Sequence, residues 1–374
     1  MNWQPIWYHQ NVNFSSLPVK AKALTEIIQI NCNLSGEKIR VVLTNQFGQE
    51  PLIFEKVEVA LDPMFHVKQQ LAFQGLKIFT IPVGQQIISD DCHIKVTIGC
   101  KLFFRLTVSQ PQQYCDFLST YDSSLTNAAF IRQYDRYPRL NQTLTARHGW
   151  FCLQEVDLWT AALPKVIEFT GDSLAEMGLI SASLDYLLQA RYPGRYLVLN
   201  SGIAGNRFLQ NAPQDEAIFQ TFGEALITRL PKRLKKVKPK YVVCFAGIND
   251  LLLPLISLAA RQTQFDAKSF VERVTSFEYD LRQAGSQLIF SDLLPFKLSH
   301  GQKKHPADQW SQQQRILLNR QLDQFNWIFQ ASKTAIAQQQ HLVPEYDLGD
   351  HLHVNKAGGQ LLAQKLFEKV ITDC

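Results

Sequence analysis

Residues 165–178 read KVIEFTGDSLAEMG. A largely apolar run stops at Gly171-Asp172-Ser173, and a helix-compatible stretch begins straight after. Ser173 therefore has two readings. It can cap a helix, since Ser and Asp satisfy the unpaired N–H groups of a first turn. It can equally be a hydroxyl held at the open end of a parallel sheet, where α/β folds place their chemistry.

The sequence downstream repeats the strand-then-helix rhythm. After KVIEF comes helix-like sequence through LISASLDYLLQARYPG, then the strands RYLVLNSG, KYVVCFAG and SQLIFSDLLPF, and a last helix in KAGGQLLAQKLFEKVI. EALITRLPKRLKKVKP reads as a helix at its start, broken at Pro231. Strands alternating with helices predict βαβ units and a mostly parallel sheet covered on both faces. Residues 1–160 have a different rhythm. EKIRVVLTNQFG, LIFEKVEVAL, LKIFTIPVG, HIKVTIG and KLFFRLTVSQP are short strand candidates separated by Gly, Pro or Asn. They predict an all-β sandwich of jelly-roll type. A chain of 374 residues exceeds one ordinary core, and the change of rhythm divides it into domains 1–160 and 161–374. Trp3, Trp7, Trp150 and Trp159 fall at the two sequence ends of the β-domain, which suggests packing where the domains meet.

An apolar fraction of 46% and a charged fraction of 19% describe a folded rather than a disordered chain. The net charge of +5 is too small to imply nucleic acid. The basic run PKRLKKVKPK lacks interleaved aromatics and reads as a solvated segment. The N-terminus shows no basic start followed by an apolar stretch, so no secretory signal is expected. Seven widely spaced cysteines argue against a disulfide framework and against a zinc knuckle, and suit a reduced, cytoplasmic protein. YVVCFAGINDLLLPLISLAA, residues 241–260, has membrane-span length but contains Asn249, Asp250 and Pro254. It reads as a buried strand, a polar turn, then an apolar loop or helix start that could line an acyl pocket around Leu253.

In parallel sheets ligands bind at the carboxyl ends of the strands. Those ends carry Gly171-Asp172-Ser173, then NSGIAGNR with Gly205, then AGIND with Asn249; YDLGDHLHVNKAGG lies near the C-terminus. Acyl transfer needs a nucleophile, a base, a group that orients the base, and oxyanion donors. The three-residue spacing of Asp350 and His353 lets the carboxylate reach Nδ1–H and leaves Nε2 for a serine. His351 follows Asp350 directly and points the other way in extended chain. Asp347 is the rival orienter and reads rather as a loop hydrogen-bond acceptor. Gly205 offers an unhindered N–H, and Asn249 an uncharged NH2.

The segments GDSL, GIAGN, GIND and DHLH resemble, in order, the four blocks of the GDSL or SGNH hydrolase family. The resemblance implies a flavodoxin-like three-layer α/β/α domain. It assigns Ser173 as nucleophile, His353 as base, Asp350 as orienting acid, and Ser173 N–H, Gly205 N–H and the Asn249 amide as the oxyanion hole. The β-rich first half is similar, more loosely, to that of bacterial members with an extra N-terminal β-domain. Ala175, Glu176 and Val354 depart from the common pattern at positions expected to set substrate preference. No cofactor, metal or membrane span is implied. The expected function is a serine esterase for short acyl groups, acetyl above all, on carbohydrates or other small molecules. An acyltransferase using the same triad, a carbohydrate-binding protein with an inert hydrolase half, and a homo-oligomer all stay open.

Overall fold

The computed structural model describes residues 1–133, 136–140, 147–298, 305–338 and 340–372. Two compact units are present, residues 1–164 with 188–199, and residues 165–187 with 200–374. Cys374 and part of the loop preceding residue 305 lie outside the described residues.

The first unit is built from antiparallel strands. One sheet orders Asn2–Tyr8, Leu153–Thr160, Gly36–Thr44 and Gln86–Ile88, with Cys92–Val96 also paired to Gly36–Thr44. A second orders Thr126–Ile131, Leu24–Asn31, Lys101–Val108, Lys56–Ala60 and Lys68–Gln70. Alternating side chains such as Leu102, Phe104 and Leu106 feed one core together with Val41, Leu43, Val156 and Leu158. The opposite face of the Lys101–Val108 strand is also covered, because Phe103 packs with Ile27, Ala60 and Phe65. The first strand pairs with the last, from Asn2↔Thr160 to Tyr8↔Glu155. That pairing sets where Trp3 and Trp159 lie. Trp3 and Trp159 lie 5.4 Å apart across it, and Trp7 and Trp150 are buried in the core of this unit at 5.8 Å from each other.

A five-stranded sheet, all but residues 196–199 of it in the second unit, is ordered Tyr196–Gly202, Lys165–Gly171, Tyr241–Phe245, Gln287–Ser291 and Ile328–Phe329. Strands two to five of that order run parallel, in registers Ile167↔Tyr241, Tyr241↔Gln287 and Phe290↔Ile328. In chain order the strands lie 2-1-3-4-5, so the order reverses between Lys165–Gly171 and Tyr241–Phe245. The crevice at the carboxyl ends of such a pair is where doubly wound sheets hold ligands.

The helices are α1 (Ser173–Glu176), α2 (Leu179–Arg191), α3 (Ala217–Gln220), α4 (Leu226–Val237), α5 (Ile248–Ile256), α6 (Ala267–Gln283), α7 (Asp308–Leu322) and α8 (Lys356–Thr372). No helix of the described residues is long and apolar enough to cross a membrane. Two of the helices differ from the sequence reading. α4 runs straight through Pro231, which is exposed, while Leu226 and Leu230 on the other side are buried. The ring forfeits one backbone bond, and the buried leucines keep the segment helical. α5 begins at Ile248, so Asn249 and Asp250 sit in its first turn rather than in a separate turn, and Pro254 is inside it. Leu253 packs with Phe219 and Ala260 in a small satellite core and does not line the cleft beside Ser173. The basic run is largely solvated as expected, except Arg233, which is buried against Glu168 at 3.4 Å.

Candidate active site

The first strand ends in a glycine for a steric reason. Gly171 has φ +137, and a Cβ there would sit 1.8 Å from the carbonyl oxygen of Phe245 on the adjacent strand. Asp172 N–H donates to that same carbonyl at 2.9 Å. The chain can then turn sharply enough to open α1 with Ser173. The cap is Asp172, not Ser173: its Oδ1 accepts Leu174 N–H at 3.0 Å. Ser173 is thereby left with its hydroxyl free of capping duty, which settles the first ambiguity of the sequence.

The hydroxyl meets an imidazole from the other end of the chain. Ser173 Oγ lies 2.7 Å from His353 Nε2, and His353 Nδ1 lies 2.6 Å from Asp350 Oδ2. Asp350 Oδ1 also accepts the backbone N–H groups of Leu352 and His353, at 3.0 and 2.8 Å. Partial burial pushes the Asp350 carboxyl up, but the bonds from the His353 ring and backbone outweigh it and hold it below the usual carboxylate range. An ionised Asp350 can only accept, so Nδ1 carries the proton and Nε2 is the acceptor facing Ser173. The loop is cross-tied at Asp347↔Val354 and by Leu348 N–H to the His353 carbonyl at 2.9 Å. Asn355, which the sequence reading did not single out, donates to the carbonyls of Glu345 and Asp347 and accepts Gly358 N–H at the start of α8.

The two oxyanion candidates are held next to each other. Gly205 has φ +75, and a Cβ there would collide with the Phe222 ring at 2.3 Å. Asn249, in the first turn of α5, donates one amide hydrogen to the carbonyl of Asn206 at 3.1 Å, leaving its second for a ligand. Among the described residues, no protein acceptor takes the N–H of Ser173 or of Gly205.

Several residues that tie these loops together were read differently, or not at all, from sequence. Glu176 is buried and accepts Ala204 N–H at 2.6 Å, so it anchors the Gly205 loop to α1. Ala175 and Val354 are likewise buried. Asp250 accepts Phe208 and Leu209 N–H at 2.7 and 2.8 Å. Arg229 donates to Asn206 Oδ1 and to the carbonyls of Ser201 and Gly171, joining two strand ends. Such a clamp is invisible in sequence because Arg229 lies in an ordinary amphipathic helix. Burial raises the Asp172 carboxyl to about 7 and the Asp250 carboxyl to about 6.

Beside Ser173 and His353 is a small cleft lined by Phe245, Ile248, Leu293, Leu294 and Leu352. Its volume is ≈ 20 Å³, room for little more than one water molecule. Among the described residues no group of three or more His, Cys, Asp or Glu is placed to hold a metal ion.

A family model described as the GDSL-like Lipase/Acylhydrolase family matches residues 169–361. No curated protein matches the chain. Similar solved structures include a GDSL-like lipase from Bacteroides thetaiotaomicron, at 14% identity and TM-score 0.40, over 56% of this chain and 89% of that one. An acetylxylan esterase from Geobacillus stearothermophilus aligns at 18% identity and TM-score 0.39, over 56% of this chain and 95% of that one. The family match covers more than half of the 374 residues and contains Ser173, Gly205, Asn249, Asp350 and His353. The chain belongs to the GDSL-like lipase/acylhydrolase family and is a serine ester hydrolase.

Proposed function

We propose that the protein hydrolyses short-chain acyl esters, acetyl esters above all, through an acyl-enzyme on Ser173. The Ser173–His353 contact of 2.7 Å carries this reading. His353 Nε2 takes the hydroxyl proton as Oγ bonds the ester carbonyl carbon, and the ionised Asp350 stabilises the imidazolium that forms. The oxyanion is received by the N–H groups of Ser173 and Gly205 and by the free amide hydrogen of Asn249. Collapse breaks the bond to the leaving alcohol, which takes the proton from His353. Water then attacks the acyl-enzyme with the same base, and the carboxylic acid leaves as Ser173 recovers its proton. Every role is filled by a group of this chain.

The narrow cleft supports the choice of acyl group, since ≈ 20 Å³ beside the nucleophile suits a methyl better than an alkyl chain. Two antiparallel sheets sharing one core support a jelly-roll-like sandwich for residues 1–160. The 2-1-3-4-5 order supports a flavodoxin-like three-layer arrangement of the catalytic unit. The free cysteines favour a reducing, cytoplasmic setting.

The test uses p-nitrophenyl acetate. The unsubstituted chain should turn it over and acquire one acetyl group on Ser173, seen by peptide mass spectrometry after rapid quench. Ser173→Ala should keep the fold by circular dichroism and lose hydrolysis by at least about 10³-fold. Activity retained by that variant would remove Ser173 from the mechanism.

A further inference from the structure

In the first unit, the strand Lys101–Val108 pairs with Leu24–Asn31 in an unbroken register from Val108↔Leu24 to Lys101↔Asn31. One step further, the same register sets Cys100 opposite Cys32. Their backbones stay joined there. Cys32 N–H donates to the Cys100 carbonyl at 2.9 Å, and Gly99 N–H donates to the Cys32 carbonyl at 2.8 Å. Two residues on one side thus face one on the other, a β-bulge whose glycine has φ +83. A Cβ on Gly99 would meet nothing within 4 Å, so glycine stands there for its backbone alone. Cys100 N–H closes the turn on the Thr97 carbonyl at 3.0 Å.

Pairing of this kind keeps opposed Cα atoms about 4.5–5.5 Å apart, inside the roughly 4.4–6.8 Å that a disulfide spans. The side chains meet as well, with Cys32 S–H donating to the Cys100 sulfur. The two thiols are unlike. Cys32 is fully buried and Cys100 half-buried, so a small molecule in solvent reaches Cys100 first. The bond from Cys32 draws the Cys100 thiol down to about 6 against the opposing effect of burial. The same bond, together with burial, pushes the Cys32 thiol up. Burial also pushes up the thiols of Cys92, Cys115, Cys152 and Cys244, which makes them poor nucleophiles.

We propose that Cys32 and Cys100 form a reversible dithiol–disulfide site, with Cys100 as the attacking thiolate, Cys32 as the resolving thiol and a low-molecular-weight disulfide such as oxidised glutathione as the oxidant. The Cys100 thiolate bonds one sulfur of the oxidant, whose S–S bond breaks and releases one thiolate. Cys32 then gives up its proton, and its sulfur bonds that of Cys100 and expels the second thiolate. The chain loses two electrons, the oxidant is reduced to two thiols, and the protons of the two cysteines end on them. The new bond ties the end of one core strand to the end of its neighbour and closes the loop from residue 32 to residue 100.

The test equilibrates the full chain without oxygen at pH 7 in mixtures of reduced and oxidised glutathione, followed by acid quench and peptide mass spectrometry. A Cys32–Cys100 linked peptide should accumulate as the mixture becomes more oxidising and disappear on addition of dithiothreitol, while Cys92, Cys115, Cys152 and Cys244 stay reduced. In Cys32→Ala the reaction should stop with one glutathione on Cys100. Should that variant fail to fold, early time points of the unsubstituted chain should show the Cys100 adduct before the link. Iodoacetamide at pH 7 should label Cys100 at least about tenfold faster than Cys92 or Cys115, as expected of the one thiol that ionises readily. Equal rates overturn the assignment of Cys100 as the attacking thiol. A native chain that stays fully reduced in every mixture, or that keeps glutathione on Cys100 without a link to Cys32, overturns the site.

Discussion

The contact between Ser173 and His353 joins positions 180 residues apart, and neighbouring residues take up the capping and tethering around it. Asp172 takes the capping role that Ser173 would otherwise fill, and Asn355 takes the role of holding α8 to the loop before it. In the proposed reaction the cleft beside Ser173 receives the acyl group, and few atoms line it. Leu352 is half-buried, follows Asp350 by two positions and contributes to the cleft wall. Leu352→Ala removes three carbons from that wall without touching the triad. It should shift kcat/KM from p-nitrophenyl acetate toward the butyrate by about fourfold or more, the worth of one buried methylene, read from the ratio of the two esters. An unaltered ratio would show that the acyl chain lies elsewhere. Sequence singled out Ser173, His353 and Asp350, which the structure brings into contact, because the chemistry proposed for them has few substitutes among side chains. It did not expose Arg229 or Asp250, nor the true role of Glu176. Their work consists of accepting or donating to backbone groups distant in the chain, and that leaves no local pattern.

At the level of elements, strands were legible where they were fully buried and bounded by glycine, as in Lys165–Gly171 and Tyr241–Phe245. The two-residue strand Ile328–Phe329 was not, because a run so short has no period to read. The prolines misled for a related reason. Proline disfavours a helix locally, but α4 is decided by Leu226 and Leu230 meeting the core, an interaction outside the reach of propensity. The position still carries the local cost. Pro231 cannot donate to the carbonyl of Ile227, and it stands on the exposed side of the helix, where an alanine would displace nothing. Pro231→Ala should therefore stabilise the catalytic unit by roughly 1–3 kcal/mol, measured as a rise in the urea midpoint at unchanged slope. A fall in the midpoint would mean that the ring has packing partners worth more than the bond it forfeits.

Across the whole molecule, each unit encloses a carboxyl that burial makes hard to ionise, and this gives each its own pH signature. In the first unit, burial raises Glu26 to about 8, against a backbone bond from Phe151 that lowers it, and Glu26 Oε1 has no partner among the described residues. In the second, burial raises Asp172 to about 7. Above those values folded and unfolded chains are both ionised, and the cost of a buried charge is felt in full. As pH falls, the folded state takes up its proton first, so the folded state gains stability. The gain runs from about pH 8 to 4.5 for Glu26 and from about pH 7 to 3.8 for Asp172. His9, lowered by burial to about 3, acts in the opposite direction below its ordinary value of 6.5. Comparison of each variant with the parent chain cancels that contribution. Glu26→Gln and Asp172→Asn keep an acceptor for Phe151 and Leu174 N–H while removing the titration. Each should raise stability at pH 9 by an amount on the order of 2–4 kcal/mol, with the advantage disappearing toward pH 4. Chains with separate cores depart from two-state unfolding. Calorimetry at pH 9 should accordingly show Glu26→Gln moving one transition and Asp172→Asn another; a single transition moved by both would mean that the two cores unfold as one cooperative body.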